Sequence, residues 1–145
     1  MYIGKVSEAT EELQDALQRL VPQLSVHKIP ATLQELNELI KSASSTLLAA
    51  RYPDENNAIA GILSLTIYRV PTGIRSIIED LVVDKKMRRR GIGEALVRNA
   101  IELAREAGAD GVSLTSNSQR EIANQLYQSL GFELRKTNPY FYKIK

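Results

Sequence analysis

Between Ser76 and Leu96 the chain runs Ser-Ile-Ile-Glu-Asp-Leu-Val-Val-Asp-Lys-Lys-Met-Arg-Arg-Arg-Gly-Ile-Gly-Glu-Ala-Leu, and this stretch constrains the fold more than any other. Ser76 to Val83 is rich in Ile, Leu and Val without clean alternation, the pattern of a strand covered on both faces. After Gly93, residues Leu96, Val97, Ala100, Ile101, Leu103 and Ala104 recur at helical spacing as far as Gly108, which predicts a helix. Strand and helix are joined by Arg-Arg-Arg-Gly-x-Gly. A glycine-rich turn that opens on a helix N-terminus offers unpaired backbone N–H groups and the positive end of the helix dipole to one point. Gly91 and Gly93 put no Cβ in a ligand's way, and Arg88, Arg89 and Arg90 add fixed positive charge. The stretch predicts a site for phosphate or pyrophosphate.

Length and composition narrow the partners. A chain of 145 residues reads as one domain, residues 1–145, able to bury roughly 70% of the surface its unfolded form exposes. A net charge of +2 is too small to imply nucleic-acid or membrane binding; the positive charge that matters is local, from Lys85 to Arg90. No apolar run is long enough to span a bilayer, and the N-terminus lacks a signal-peptide pattern. The absence of cysteine excludes a disulfide, a thiol nucleophile and cysteine-ligated zinc. A single histidine, His27, argues against a His-rich metal site. The expectation is a cytoplasmic protein without metal, nucleic acid or membrane among its partners; a homodimer stays open.

In chain order, Tyr2 to Val6 suits a short edge strand. A helix is expected from Thr10 with Glu11 and Glu12 in its first turn, an apolar stripe of Leu13, Leu17, Leu20, Val21 and Leu24, and termination at Pro22. Thr32-x-x-Glu35 is a capping box opening a second helix. Ser45 to Tyr52 and Ala58 to Tyr68 read as a hairpin ahead of the central strand. Val112 to Thr115 reads as a further buried strand. Ser118-x-x-Glu121 is a second capping box, for a helix with Ile122, Leu126 and Leu130 on one face that ends at Gly131. Phe132 to Lys136 and Tyr140 to Ile144 read as a closing pair of strands.

The turn is not a Walker loop, since no Gly-Lys-Ser/Thr follows the glycines. It is not the dinucleotide fingerprint either, because Leu96 stands where the third glycine belongs. Arg88, Gly91 and Gly93 instead resemble the Gln/Arg-x-x-Gly-x-Gly/Ala signature of the GCN5-related N-acetyltransferases. Ala123-x-x-Leu126-Tyr127-x-x-Leu130-Gly131-Phe132 is similar to that family's Ala-x-x-Leu-Tyr-x-x-x-Gly-Phe pattern. The two motifs and what lies between them cover Ile77 to Phe132. The resemblance implies a three-layer α/β fold of the GNAT type: a mixed, mostly antiparallel central sheet with helices on both faces. It also implies that the central strand runs parallel to the one at Val112, with acetyl-CoA as co-substrate. The coenzyme would lie against Leu81, Val82 and Val83 like an added strand, with Arg88, Arg89, Arg90, Gly91, Ile92, Gly93 and Glu94 around its pyrophosphate. Asn117 and Asn124 could supply further hydrogen bonds, or equally be polar side chains that simply face water.

Acetyl transfer from a thioester to an amine needs a neutral amine, a polarised carbonyl and a proton for the departing thiolate. Without cysteine, direct attack by the amine is favoured over a thiol acyl-enzyme. By resemblance, Tyr127 is the general acid; its other reading is an aromatic core residue. Glu79, a carboxylate in an otherwise apolar strand, is the candidate base, with burial expected to raise its pKa. It reads equally well as a structural carboxylate paired with Arg75. Asp80 beside it should point to the opposite face. The acceptor is a small-molecule or peptide amine. A non-catalytic acyl-CoA sensor or partner-binding module on the same fold stays open, although Glu79 and Tyr127 weigh against it.

Overall fold

The computed structural model describes Met1–Lys145, in two compact units, Met1–Leu114 and Thr115–Lys145. The first unit holds strand β1 (Tyr2–Lys5), helices α1 (Glu11–Leu24) and α2 (Leu33–Lys41), strands β2 (Ser45–Arg51), β3 (Ile59–Val70) and β4 (Gly73–Val83), a 3-10 turn at Lys85–Met87, and helix α3 (Ile92–Glu106). The strands form an antiparallel sheet in the order β1-β2-β3-β4.

Both helix starts in the first half follow local chemistry. The Thr10 side chain accepts the Leu13 amide, with Glu11 and Glu12 in the first turn of α1. At α2 the Thr32–Glu35 capping box is complete in both directions. Pro22 does not end α1, contrary to the sequence expectation: the helix continues to Leu24. Proline removes one N–H near the helix end, but Leu20 is fully buried and Leu24 packs beside it, so the apolar stripe carries the last turn past the lost bond.

The helices cover both faces of the sheet. Leu13, Ala16, Leu17 and Leu20 of α1 and Leu36 of α2 pack with Leu47, Ala49, Ile62 and Val82. Paired residues of antiparallel strands share a face, and Leu48 pairs with Leu63 while Ala49 pairs with Ile62. Leu48, Ala50, Gly61 and Leu63 therefore lie on the opposite face, where α3 buries Leu96, Val97, Ala100 and Ala104. Gly61 marks a close approach there: a Cβ would sit 3.0 Å from the Val82 carbonyl oxygen and 3.4 Å from Leu96 Cδ1.

β4 carries the feature that matters most for function. Ile62 pairs with Val82 and Ser64 with Glu79, so Asp80 and Leu81 together oppose Leu63. This is a β-bulge, with Asp80 in the left-handed region at φ 51°, a conformation that Asp tolerates better than most residues. On its outer edge β4 bonds through Ile74 and Ser76 carbonyls and the Ile78 amide to Asp110 and Ser113, at 2.8–3.0 Å. The Ile77–Ser113 bridge is parallel, as expected, but it is a single bridge rather than a full strand at Val112–Thr115. Val112 and Leu114 are half-buried.

The second unit contains α4 (Glu121–Ser129). It starts later than the Ser118 capping box predicts. The Asn117 side chain accepts the Gln119 amide at 2.9 Å and the Asn117 carbonyl accepts the Arg120 amide at 3.0 Å. An Asx turn thus uses the residues the box would have needed. Ile122 is 80% exposed; the buried residue of α4 is Tyr127. The helix ends before Gly131, as expected. The closing strands at Phe132–Lys136 and Tyr140–Ile144 do not form, and Leu134, Tyr140, Phe141, Tyr142 and Ile144 are exposed. Alternation supplies no ladder partner by itself, and an isolated two-stranded hairpin is marginal in water.

Candidate functional site

In the first unit, β4, the 3-10 turn and the N-terminus of α3 form one continuous surface. Asp84 follows the strand, and its side chain caps the 3-10 turn by accepting the Lys86 amide at 3.1 Å. Arg88 Nε donates to the Val83 carbonyl at 3.2 Å, and the Arg90 guanidinium lies 5.4 Å from the centre of the Tyr52 ring, a cation–π contact. Arg88, Arg89 and Arg90 are exposed. Arg89 at φ 64° and Gly91 at φ 77° flank Arg90 in the left-handed region. Alternation between hands points successive N–H groups into one concavity, an anion-binding nest.

Gly91 is the N-cap of α3 and no side chain caps that helix end. The first amides of α3 are thus left for another acceptor. A Cβ built on Gly91 meets no protein atom within 4 Å, so the space above it is open. Ile92 faces inward at 2% exposure and anchors the helix start, while Gly93 and Glu94 are half-buried. Glu94 pairs with Arg98 at 3.1 Å one turn on. Amides, helix dipole and three exposed guanidinium groups are the donor set a pyrophosphate requires.

Leu81 and Val83 are half-buried and Val82 is buried. Their backbone lies past Ile78, where the outer edge of β4 loses its pairing with Ser113, so an extended ligand can add to it. Glu79 differs from the expectation. It is exposed rather than buried, because it stands at the bulge on the terminal strand of the sheet rather than under a helix. It is not paired with Arg75, whose partners are Thr72 and Asp110. By register Glu79 shares the α1–α2 face with Ser64 and Leu47. Asp80 pairs with Lys28 at 3.6 Å, both exposed, which brings the loop carrying His27 to the bulge.

The second unit holds Asn117, Asn124 and Tyr127. Asn124 Nδ2 donates to the Asn117 and Arg120 carbonyls at 2.9 and 2.8 Å, and Asn117 closes its own turn, so both side chains build the entry to α4. Tyr127 is 8% exposed and meets Phe132 edge to face, with ring centres 5.9 Å apart. Burial raises the Tyr127 phenol above its ordinary value, outweighing the opposing charge of Arg120.

Three residues escaped the sequence reading. Asp84 is 6% exposed and ion-paired with Arg19 of α1 at 2.6 Å. Gln23 accepts the Lys85 amide at 2.8 Å. Burial alone would raise the Asp84 carboxyl, but bonds from the Lys86 amide, Arg19 and Gln23 hold it below the usual value. Only the i, i+4 spacing of Arg19 and Gln23 was visible in advance, and it names no partner. No group of three or more His, Cys, Asp or Glu is placed to hold a metal, and no helix is long and apolar enough to cross a membrane.

Comparison with known proteins gives a consistent picture. A sequence model described as the Acetyltransferase (GNAT) family matches residues 9–132. An uncharacterised N-acetyltransferase of Bacillus subtilis (strain 168) is 33% identical over 108 residues, 73% of this chain and 74% of that protein. N-acetyltransferase 8 of Homo sapiens is 42% identical over 64 residues, 44% of this chain but only 27% of that longer protein. The chain thus aligns with about a quarter of that relative's length. Among solved structures, a transcriptional regulator from Bacillus halodurans C-125 superposes with a TM-score of 0.78 at 27% identity, covering 98% of this chain and 100% of that one. An aminoglycoside acetyltransferase from an uncultured soil metagenomic sample shares the fold, with a TM-score of 0.80 at 20% identity over 99% of this chain and 96% of its own.

Proposed function

The chain belongs to the acetyltransferase (GNAT) family, and on that premise we propose that it moves an acetyl group from acetyl-CoA directly to a primary amine of a small-molecule or peptide acceptor. The observation that carries the reading is the uncapped start of α3 beneath three exposed arginines, with open space above Gly91. In this reading the amides from Arg89 to Glu94 and the guanidinium groups of Arg88–Arg90 hold the pyrophosphate. The edge at Leu81–Val83 past the Ser113 pairing holds the pantetheine arm, and Asn117 and Asn124 keep only their remaining hydrogen-bonding capacity for the coenzyme. The 145 residues act as one acetyltransferase domain in the cytoplasm, a setting that a cysteine-free chain suits.

Glu79 is assigned as base. A solvated carboxylate on the sheet face beside the bulge can take the ammonium proton through water, after which the amine lone pair attacks the thioester carbon. The C–S bond breaks as the tetrahedral intermediate collapses and Tyr127 gives its proton to the thiolate; the attacking nitrogen sheds its extra proton to solvent, and the Tyr127 phenolate regains one from solvent. The raised phenol stays protonated throughout the neutral range, as a donor must.

The test is a panel of amines with acetyl-CoA, following release of free thiol with a thiol reagent. The enzyme contributes no background because it has no cysteine. Acetylated product with thiol release in equal amount is the expected result. The solved neighbour described as a transcriptional regulator supports one alternative, a non-catalytic acyl-CoA-binding module. Tight CoA binding by calorimetry with no turnover on any amine would favour it and overturn the catalytic reading.

A further inference from the structure

The phosphate loop has little internal support. Its own bonds are few: Met87 amide to Asp84 carbonyl at 2.8 Å, Lys86 amide to Asp84 Oδ1 at 3.1 Å, Arg88 Nε to Val83 carbonyl at 3.2 Å and Ala95 amide to Gly91 carbonyl at 3.0 Å, besides the Arg90–Tyr52 contact. Arg89 and Gly91 nonetheless sit in the left-handed region, a shape that persists in a non-glycine residue only where the surroundings impose it. From outside the loop, α1 reaches its first residues. Arg19 and Gln23, one turn apart on the same side of that helix, meet Asp84 from 65 and 61 positions away in sequence.

The Arg19 fork spans two elements: Nη1 donates to Asp84 Oδ2 at 2.6 Å and Nη2 to the Ile59 carbonyl at 2.9 Å. Gln23 Oε1 accepts the Lys85 amide at 2.8 Å, and its Nε2 donates to the Arg19 carbonyl at 3.2 Å and approaches Asp84 Oδ1 at 3.5 Å. With Asp84 Oδ1 accepting the Lys86 amide, the first two amides of the loop are each fixed by a side chain. Asp84 is too buried to face a ligand, so the network acts on the loop and not on the phosphate.

We propose that Arg19 and Gln23 are positioning residues for coenzyme binding: through Asp84 and the Lys85 amide they hold the Arg88–Gly93 turn in its anion-binding shape before the ligand arrives. The inference rests on the acetyl-CoA reading above. Pre-organisation of this kind raises affinity by removing the ordering cost of binding.

The experiment compares wild type with Gln23→Met, which keeps length but loses all three polar contacts, and Arg19→Lys, which keeps charge but cannot span Asp84 and the Ile59 carbonyl. CoA affinity is measured by calorimetry, with amide hydrogen exchange at Lys85 and Lys86, the thermal midpoint and, with an acceptor in hand, acetyl-CoA kinetics. Loss of about one hydrogen bond predicts a Kd for CoA, and a KM for acetyl-CoA, raised roughly fivefold to tenfold with kcat little changed. Lys85 and Lys86 should exchange faster, with Arg19→Lys less affected than Gln23→Met. A purely structural role lowers the thermal midpoint but leaves the Kd of the folded fraction alone. Both folded variants binding CoA within about twofold of a binding wild type would overturn the inference. Failure of wild type itself to bind CoA would overturn the underlying reading instead.

Discussion

Replacing Gly91 by valine separates two effects that usually travel together. The residue stands at φ 77°, ψ 12°, where a side chain is strained, and that strain costs about 1–2 kcal/mol of stability. The added Cβ itself brings no collision within the protein, since at Gly91 it meets no atom within 4 Å. The variant should therefore fold, with a thermal midpoint lowered by a few degrees. The ligand is affected differently, because the valine side chain occupies the open space beside the uncapped start of α3. Losing one hydrogen bond to a charged phosphate removes about 1.5–3 kcal/mol, a roughly 10- to 100-fold weaker Kd. Calorimetry of CoA binding, with circular dichroism to establish folding, reads both quantities. Gly91→Ala should weaken binding less for a similar strain. A folded Gly91→Val protein with wild-type CoA affinity would refute the pyrophosphate assignment at this turn.

Three further outcomes are expected. Glu79→Gln keeps size and removes basicity, so kcat/KM should fall and the acid limb of its pH profile should change; an unchanged profile would return Glu79 to a structural role. Tyr127→Phe keeps the packing against Phe132 and should lower kcat by on the order of a hundredfold with little change in acetyl-CoA affinity, whereas turnover within about twofold of wild type would remove the phenol from the mechanism. Asp84 has a lowered pKa in the fold, so its contribution to stability is present above the ordinary aspartate range and is lost as pH falls below about 4 through the lower folded value. Acid unfolding of Asp84→Asn should show a shallower pH dependence than wild type over that window, and identical slopes would contradict the assignment.

Local chemistry and periodicity account for what was legible in the chain alone. Thr10 and Thr32 announce their helices because a cap needs only the next three residues. Arg88, Gly91 and Gly93 announce a phosphate turn because helix-end amides and glycine geometry are properties of a few consecutive residues. The order of strand, turn and helix from Ser76 to Ala104 follows from spacing that repeats within one element. Ser118 failed as a cap because a neighbouring side chain, Asn117, closed a competing turn of nearly equal local merit. The tail after Gly131 alternates like a pair of strands, yet strands exist only where a partner supplies the other half of each backbone bond. Only the folded chain decided that Glu79 lies exposed, since a one-residue shift of register between Ile62 and Ser64 sets which positions of β4 a helix covers. It alone joined Arg19 and Gln23 to Asp84, because a contact across more than sixty residues depends on how a helix docks on a sheet, and that is an outcome of packing rather than of any sequence window.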